Sequence, residues 1–257
     1  MTETVRDVHR RAVLAALEEF WQNPQRDRIT HRVPERIAGS PADQVMPEGT
    51  ENPYWEIIRQ TPCDTIGSPW RHARPQPDPY FTDPATNRYL ADRKTLCMAY
   101  SWSIPSPGDI AWITSRLSSA GVVEPGAGGG YWAWQLAQAG VDVIAYDPAD
   151  PAGSKFTSGE PWYPVLRDDH GVTARHPDRS LLLCWPSYDE PWGAWSLAAY
   201  KGTQVFYIGE GQGGCCATDE FFDLLEAEWE EAGISPHHVT YSGIHCSLTE
   251  YRRKARP

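Results

Sequence analysis

The clearest patterning of apolar and polar positions begins at Val122. Val122 and Val123 end an apolar run, residues 126–130 read Gly-Ala-Gly-Gly-Gly, and Tyr131–Ala139 resumes at helical spacing before Gly140, a residue favoured just beyond a helix C-terminus. Val141–Ala145 then reads as a second strand with Asp147 past its end. Trp162–Leu166 is a short strand roughened by Pro164. Ser180–Cys184 is a continuous apolar run of the kind buried on both sheet faces, and Thr203–Ile208 is a fifth strand. Helices are expected between them. One is capped by Ser106, has Pro107 in its first turn, and buries Ile110, Ile113 and Leu117. Another covers Trp195–Tyr200. A third starts at Thr218, with Asp219 and Glu220 at its positive end, and runs past Phe221, Leu225 and Trp229 to Gly233. Val239–Tyr241 and Ile244–Leu248, around Ser242-Gly243, predict a closing strand pair. Over residues 108–257 this alternation predicts an α/β fold: a mostly parallel sheet with a closing antiparallel strand and helices on both faces.

Residues 1–107 read differently, as a helical and irregular extension. Residues 3–22 carry Val8, Ala12, Ala16, Leu17, Phe20 and Trp21 at helical spacing, and Asn23-Pro24 ends that helix. Prolines then recur through residues 24–80, interrupted by a short predicted helix over Asn52–Gln60 with Tyr54, Trp55 and Ile58 on its apolar face. A further helix is expected from Asp83 to Ala99, with Thr82 as cap and Pro84 in its first turn. The segment is too aromatic for a solvated linker (Tyr54, Trp55, Trp70, Tyr80, Phe81), so it is expected to pack over the core as a lid on an acceptor site.

Composition narrows the function. A formal charge of −11 over 257 residues opposes nonspecific binding to nucleic acid, which relies on Lys and Arg neutralising phosphates. The first residues lack an apolar signal core and no stretch is long enough to span a bilayer, so a cytoplasmic protein is expected. The six cysteines show no C-x-x-C spacing, and no metal site is expected. Twelve Trp, clustered near Pro in apparent loops, suggest an aromatic-lined pocket.

The glycine spacing selects a ligand class. A dinucleotide loop reads G-x-G-x-x-G, and counted from Gly126 its third glycine falls on Tyr131. The run is instead Glu124-Pro-Gly126-Ala127-Gly128-Gly-Gly130, followed by Asp147. This resembles motif I of the class I S-adenosylmethionine (SAM) methyltransferases, which have a Rossmann-like fold. The likeness covers roughly residues 108–257 and is most specific over 122–147. The resemblance implies SAM as cofactor and S-adenosylhomocysteine (SAH) as product. It places Glu124 near the ammonium, Gly126, Ala127, Gly128 and Gly130 against the methionine part, Asp147 on the ribose hydroxyls with Pro148 beside it, and Asp168 or Asp169 near the adenine. It also implies contacts from Tyr100, Trp132, Cys184 and Trp185. Residues 185–188 fall where the family carries motif IV, but only Pro186 and Tyr188 keep the pattern of the base-methylating members. A small-molecule acceptor is therefore expected, and a homo-oligomer is left open. Tyr188, Glu210 and His170 are the candidate catalytic groups, with His176 and His245 behind them. Two other readings stay open: a SAM-binding protein with a different reaction or a noncatalytic role, and an NAD-dependent oxidoreductase.

Overall fold

The computed structural model describes residues 4–23, 44–61, 91–150 and 154–255, together with the backbone of 63–64, 76–77, 82–83 and 88–89. The proline-rich stretch 24–43 and the aromatics Trp70, Tyr80 and Phe81 lie outside the described residues.

A seven-stranded sheet organises the chain. Its strands are β1 (Val122–Pro125), β2 (Val143–Asp147), β3 (Val165–Arg167), β4 (Ser180–Cys184), β5 (Gln204–Gly209), β6 (Trp229–Ile234) and β7 (Ser247–Arg253). The spatial order is β6-β7-β5-β4-β1-β2-β3. Neighbours from β5 through β3 are parallel, and β7 runs antiparallel to both β5 and β6. The expected mostly parallel sheet with an antiparallel closing strand is present. The chain's order reverses at β1 and β4, whose carboxyl ends form the switch point where open α/β sheets bind ligands.

The helices are α1 (Val5–Gln22), α2 (Pro53–Ile58), α3 (Arg93–Ala99), α4 (Pro107–Arg116), α5 (Tyr131–Gln138), α6 (Trp192–Ala199) and α7 (Asp219–Glu228), with a 3-10 turn over His170–Arg175. Successive strand residues point to opposite faces, and both faces are apolar. Val123, Leu181, Leu183, Val205 and Tyr207 pack under α6 and α7. Val122, Leu182, Phe206, Ile208 and Leu248 pack under α4 and α5. A third cluster joins the extension to the sheet domain: Leu17, Tyr54, Trp55, Ile58, Leu96 and Tyr100 close on Tyr131, Val239 and Tyr241.

Three expected elements differ. Asp83–Ala99 is not one helix: Thr82–Asp83 pairs antiparallel with Arg88–Tyr89, and among the described residues of this span only Arg93–Ala99 is helical. Asp92, rather than Thr82, supplies the cap, accepting from the Thr95 N–H at 2.8 Å. The helix expected to run to Gly233 stops at Glu228, and Trp229–Ile234 becomes an edge strand. Trp229 explains the change, because its ring is buried, stacked on Tyr200 at 5.9 Å with the Arg253 guanidinium 4.2 Å from its centre. Gly233 sits at a register shift of that strand and not at a helix end. The closing pair is accordingly β6 with β7; Val239 instead makes an isolated bridge with Ile104.

Candidate ligand site at the strand tips

The site begins with the turn after β1. Gly126, Gly128 and Gly130 all have positive φ, at 67°, 56° and 72°, which L side chains rarely adopt. The chain's own packing also requires them. A Cβ at Gly126 would lie 2.6 Å from the Trp192 ring, and one at Gly130 would lie 3.0 Å from Tyr163 and Val165. The turn is tied to β2 by the Ala127 N–H donating to the Tyr146 carbonyl at 2.9 Å. Asp147 is the last residue of β2, not one beyond it, and its carboxylate accepts from the Gly128 N–H at 2.9 Å and the Ala149 N–H at 2.8 Å. Each oxygen keeps a second lone pair for a ligand hydroxyl. Pro148 follows at the exposed surface.

Glu124 is the unusual group. It is 2% exposed, and among the described residues its Oε2 has no hydrogen-bond partner. Burial pushes its carboxyl up to about 8, an effect that the Ala133 N–H opposes and the neighbouring charge of Asp147 reinforces. A buried carboxyl with one unmet oxygen is suited to a cationic hydrogen-bond donor, such as an ammonium. The ammonium, diol and carbon skeleton of SAM therefore fit the groups present: Glu124, Asp147 and a turn without side chains.

Around these acids the structure gathers most of the expected residues. The Cys184 thiol lies 3.4 Å from Ser103 Oγ and 3.9 Å from Ser101 Oγ, and burial pushes it up to about 12, with the charge of Glu124 adding to the effect. Trp132 is buried and donates from Nε1 to Ser103 Oγ at 3.1 Å. Trp185, the first residue after β4, takes a positive φ of 53° while its N–H donates to the Ile208 carbonyl at 2.7 Å. His170 stacks on Trp192 with ring centres 5.0 Å apart. Burial lowers its pKa, opposed by the charge of Asp147, and its Nδ1 has no partner among the described residues.

Other expected residues are committed elsewhere. Tyr100 is buried between Tyr54, at 4.9 Å, and Trp162, at 5.6 Å, as part of the joint with the extension. Asp168 pairs with Arg175, while Asp169 caps the 3-10 turn by accepting from the Gly171 N–H at 2.8 Å. Glu210 is buried with both oxygens engaged, by the N–H groups of Cys215 and His245, each at 2.7 Å. Tyr188 is 65% exposed on the loop after β4. His176 bonds the Tyr146 hydroxyl at 3.1 Å. Tyr131, at the position a dinucleotide loop gives to glycine, is buried and donates its hydroxyl to Asn52 at 2.8 Å. Ser101 and Ser103 were not singled out from sequence, because isolated serines carry no spacing signal.

Among the described residues no group of His, Cys, Asp or Glu could hold a metal, and no helix is long and apolar enough to cross a membrane. A cavity of about 770 Å³ runs along α1, lined by Arg10, Leu14, Trp21 and Gln60 among others, and none of its lining belongs to the glycine turn.

No protein-family model matches the chain, and no curated protein matches it. Several solved structures resemble part of it. A magnesium protoporphyrin IX methyltransferase from Synechocystis PCC 6803 with bound SAM aligns at 14% identity and a TM-score of 0.40, over 56% of this chain and 76% of that one. A TehB-like SAM-dependent methyltransferase from Corynebacterium glutamicum aligns at 16% identity and a TM-score of 0.39, over 57% and 88%. The glycopeptide N-methyltransferase MtfA complexed with SAH aligns at 10% identity and a TM-score of 0.40, over 57% and 89%. Likeness this low carries no argument about the ligand, which rests on the residues themselves.

Proposed function

We propose that this chain binds SAM across the tips of β1 and β2 and transfers its methyl group to a small-molecule acceptor. The observation that carries the reading is Glu124, a buried carboxyl whose Oε2 lacks a partner, beside Asp147 at the tip of the adjacent strand. The glycines alone would not carry it, because Trp192, Thr157, Tyr163 and Val165 already account for their lack of side chains.

When bound, SAM supplies an electrophilic methyl on a sulfonium. The protein's task is then positioning, since in-line displacement gains most from holding donor and acceptor in line. Glu124 accepts from the ammonium, and Asp147 accepts from the ribose hydroxyls while its bonds to Gly128 and Ala149 hold the turn. Trp185 and Trp192 offer ring faces, which attract a cation by about 0.5–2 kcal/mol. His170 Nδ1 is available to orient an acceptor or remove its proton. Tyr188 is the other candidate on the loop after β4. Glu210 is not assigned a role in turnover, because it is buried, unlike Asp147, and both its oxygens hold backbone N–H groups. Residues 1–107 are assigned the role of a cover that contributes to acceptor selection, supported by their packing on Tyr131 and Tyr241.

Calorimetry with SAM, SAH and NADH tests the reading. Saturable binding of SAM and SAH without NADH is expected. Absence of SAM and SAH binding to folded protein would overturn it. SAM binding without formation of a methylated product across an acceptor screen would favour a different SAM reaction or a noncatalytic role.

A further inference from the structure

Arg93, the first residue of α3, lies outside the residues discussed so far. Its guanidinium is walled by three aromatic rings: its central carbon is 4.9 Å from the centre of Trp185, 5.6 Å from Trp102 and 5.9 Å from Tyr241. Trp185 directly follows β4, so the guanidinium hangs at the tip of that strand, next to the β1 tip that carries Glu124. Among the described residues, Nε and Nη2 are buried and have no hydrogen-bond partner.

That pair of atoms is informative. Nε–H and Nη2–H lie parallel on one edge of the guanidinium, the edge that takes both oxygens of a carboxylate in a two-bond fork. Stacking on the rings satisfies the faces of the cation and leaves this edge unmet. Nearby acids are engaged elsewhere. Asp92 is occupied by Thr95, through its N–H at 2.8 Å and its hydroxyl at 3.0 Å, and Glu210 by Cys215 and His245. The aromatic walls suit a planar or apolar ligand body rather than a hydrated ion.

We propose that Arg93 is the anchor for a carboxylate on the methyl acceptor, whose apolar body packs among Trp102, Trp185 and Tyr241. This rests on the reading of the strand tips as a SAM site, and it narrows the acceptor class to small carboxylic acids with an aromatic or similarly flat body. Arg93 is a binding residue here; it moves no proton.

Tryptophan fluorescence can follow titration of the full chain with benzoate and its neutral isostere benzamide, each with and without saturating SAH. Benzoate is expected to bind saturably, at least tenfold more tightly than benzamide, and without displacing SAH. Arg93→Met should abolish the benzoate preference, and Arg93→Lys, which keeps the charge but loses the fork, should reduce it severalfold. SAH affinity and the circular dichroism spectrum should hold in both variants. Equal binding of benzoate and benzamide by the unaltered protein would overturn the proposal without any variant, as would Arg93→Met retaining the preference. Benzoate competing with SAH would also overturn it, since the carboxylate would then occupy the cofactor's position. If neither SAM nor SAH binds, the titration of the unliganded chain still tests Arg93, so failure of the two proposals is distinguishable.

Discussion

Two buried acids on adjoining parts of the sheet domain show how a structural carboxylate differs from one held for a ligand. Asp109, on α4, is fully buried and fully partnered: Ser235 donates to Oδ1 at 2.6 Å, and His238 Nδ1 meets Oδ2 at 2.8 Å. His238 Nε2 lies 3.3 Å from the Cys246 thiol, so the three residues align like a cysteine nucleophile, its base and an orienting acid. They are not a reactive site. Cys246 is buried, which pushes its thiol well above the usual range, whereas a reactive cysteine needs a lowered pKa and access. The network joins α4 to the segment before β7. Glu250 repeats the pattern, meeting Arg116, Arg252 and Gln204, and Glu210 repeats it with two backbone N–H groups. Glu124 is as buried as these acids, yet one of its oxygens is unmet. Burial of a polar group is common in this chain; what sets Glu124 apart from Asp109, Glu250 and Glu210 is a carboxylate oxygen without a partner among the described residues.

If that distinction holds, mutation should separate the two classes by what is lost. The largest effect is expected at Asp109. Asp109→Ala strands His238 and Ser235 inside the protein and should cost about 3–5 kcal/mol, as when one member of a buried pair is removed. Urea unfolding reads it, and a loss below 1 kcal/mol would mean that the network is dispensable. SAM affinity per folded molecule should be unchanged.

Gly126→Ala comes next. Its φ of 67° and the 2.6 Å approach of Trp192 make a methyl group costly in two ways, and a loss of about 1–3 kcal/mol is expected. Asp147→Ala should weaken SAM by about 1–3 kcal/mol, as for a lost charged hydrogen bond, with a smaller effect on unfolding because only two N–H groups, one part-buried and one exposed, lose their acceptor. Calorimetry of the folded variant decides, and unchanged affinity would remove Asp147 from the site.

The sheet was legible from the sequence because its strands are continuous apolar runs bounded by Gly, Pro or charge, as at Ser180–Cys184. The glycine turn and its two acids were legible from spacing. What sequence periodicity missed was decided by single long-range contacts. Helical spacing carries through Trp229, but that ring is claimed by Tyr200 and Arg253, and the backbone is claimed by β7. Asp92 overrides Thr82 as a cap by bonding Thr95. Arg93 carries no motif signal in the sequence; its importance appears only when Trp185 and Tyr241, remote in sequence, close around it. Likewise Glu124 was readable as a motif acid, whereas its missing partner is a property of the folded interior.

The smallest destabilisation is expected from Glu124→Gln, and its sign is the sharpest test of the contrast. Burial raises the folded carboxyl from 4.5 to about 8, so between those values the folded chain holds a proton that the unfolded chain has released. Stability of the unliganded protein should therefore fall as pH rises through that window, and the contribution of Glu124 to the fall should end above about pH 8. Glu124→Gln removes this dependence and should be as stable as, or more stable than, the original chain at pH 9 by up to a few kcal/mol, the opposite of Asp109→Ala. Binding should go the other way. An ammonium favours the ionised carboxylate, so SAM binding near neutral pH should release a proton, seen as a calorimetric heat that changes with the ionisation enthalpy of the buffer. Glu124→Gln should abolish that buffer dependence and weaken SAM at least tenfold. A variant less stable at every pH would place Glu124 with Asp109 among the structural acids, and an unchanged proton release would assign the proton to another group.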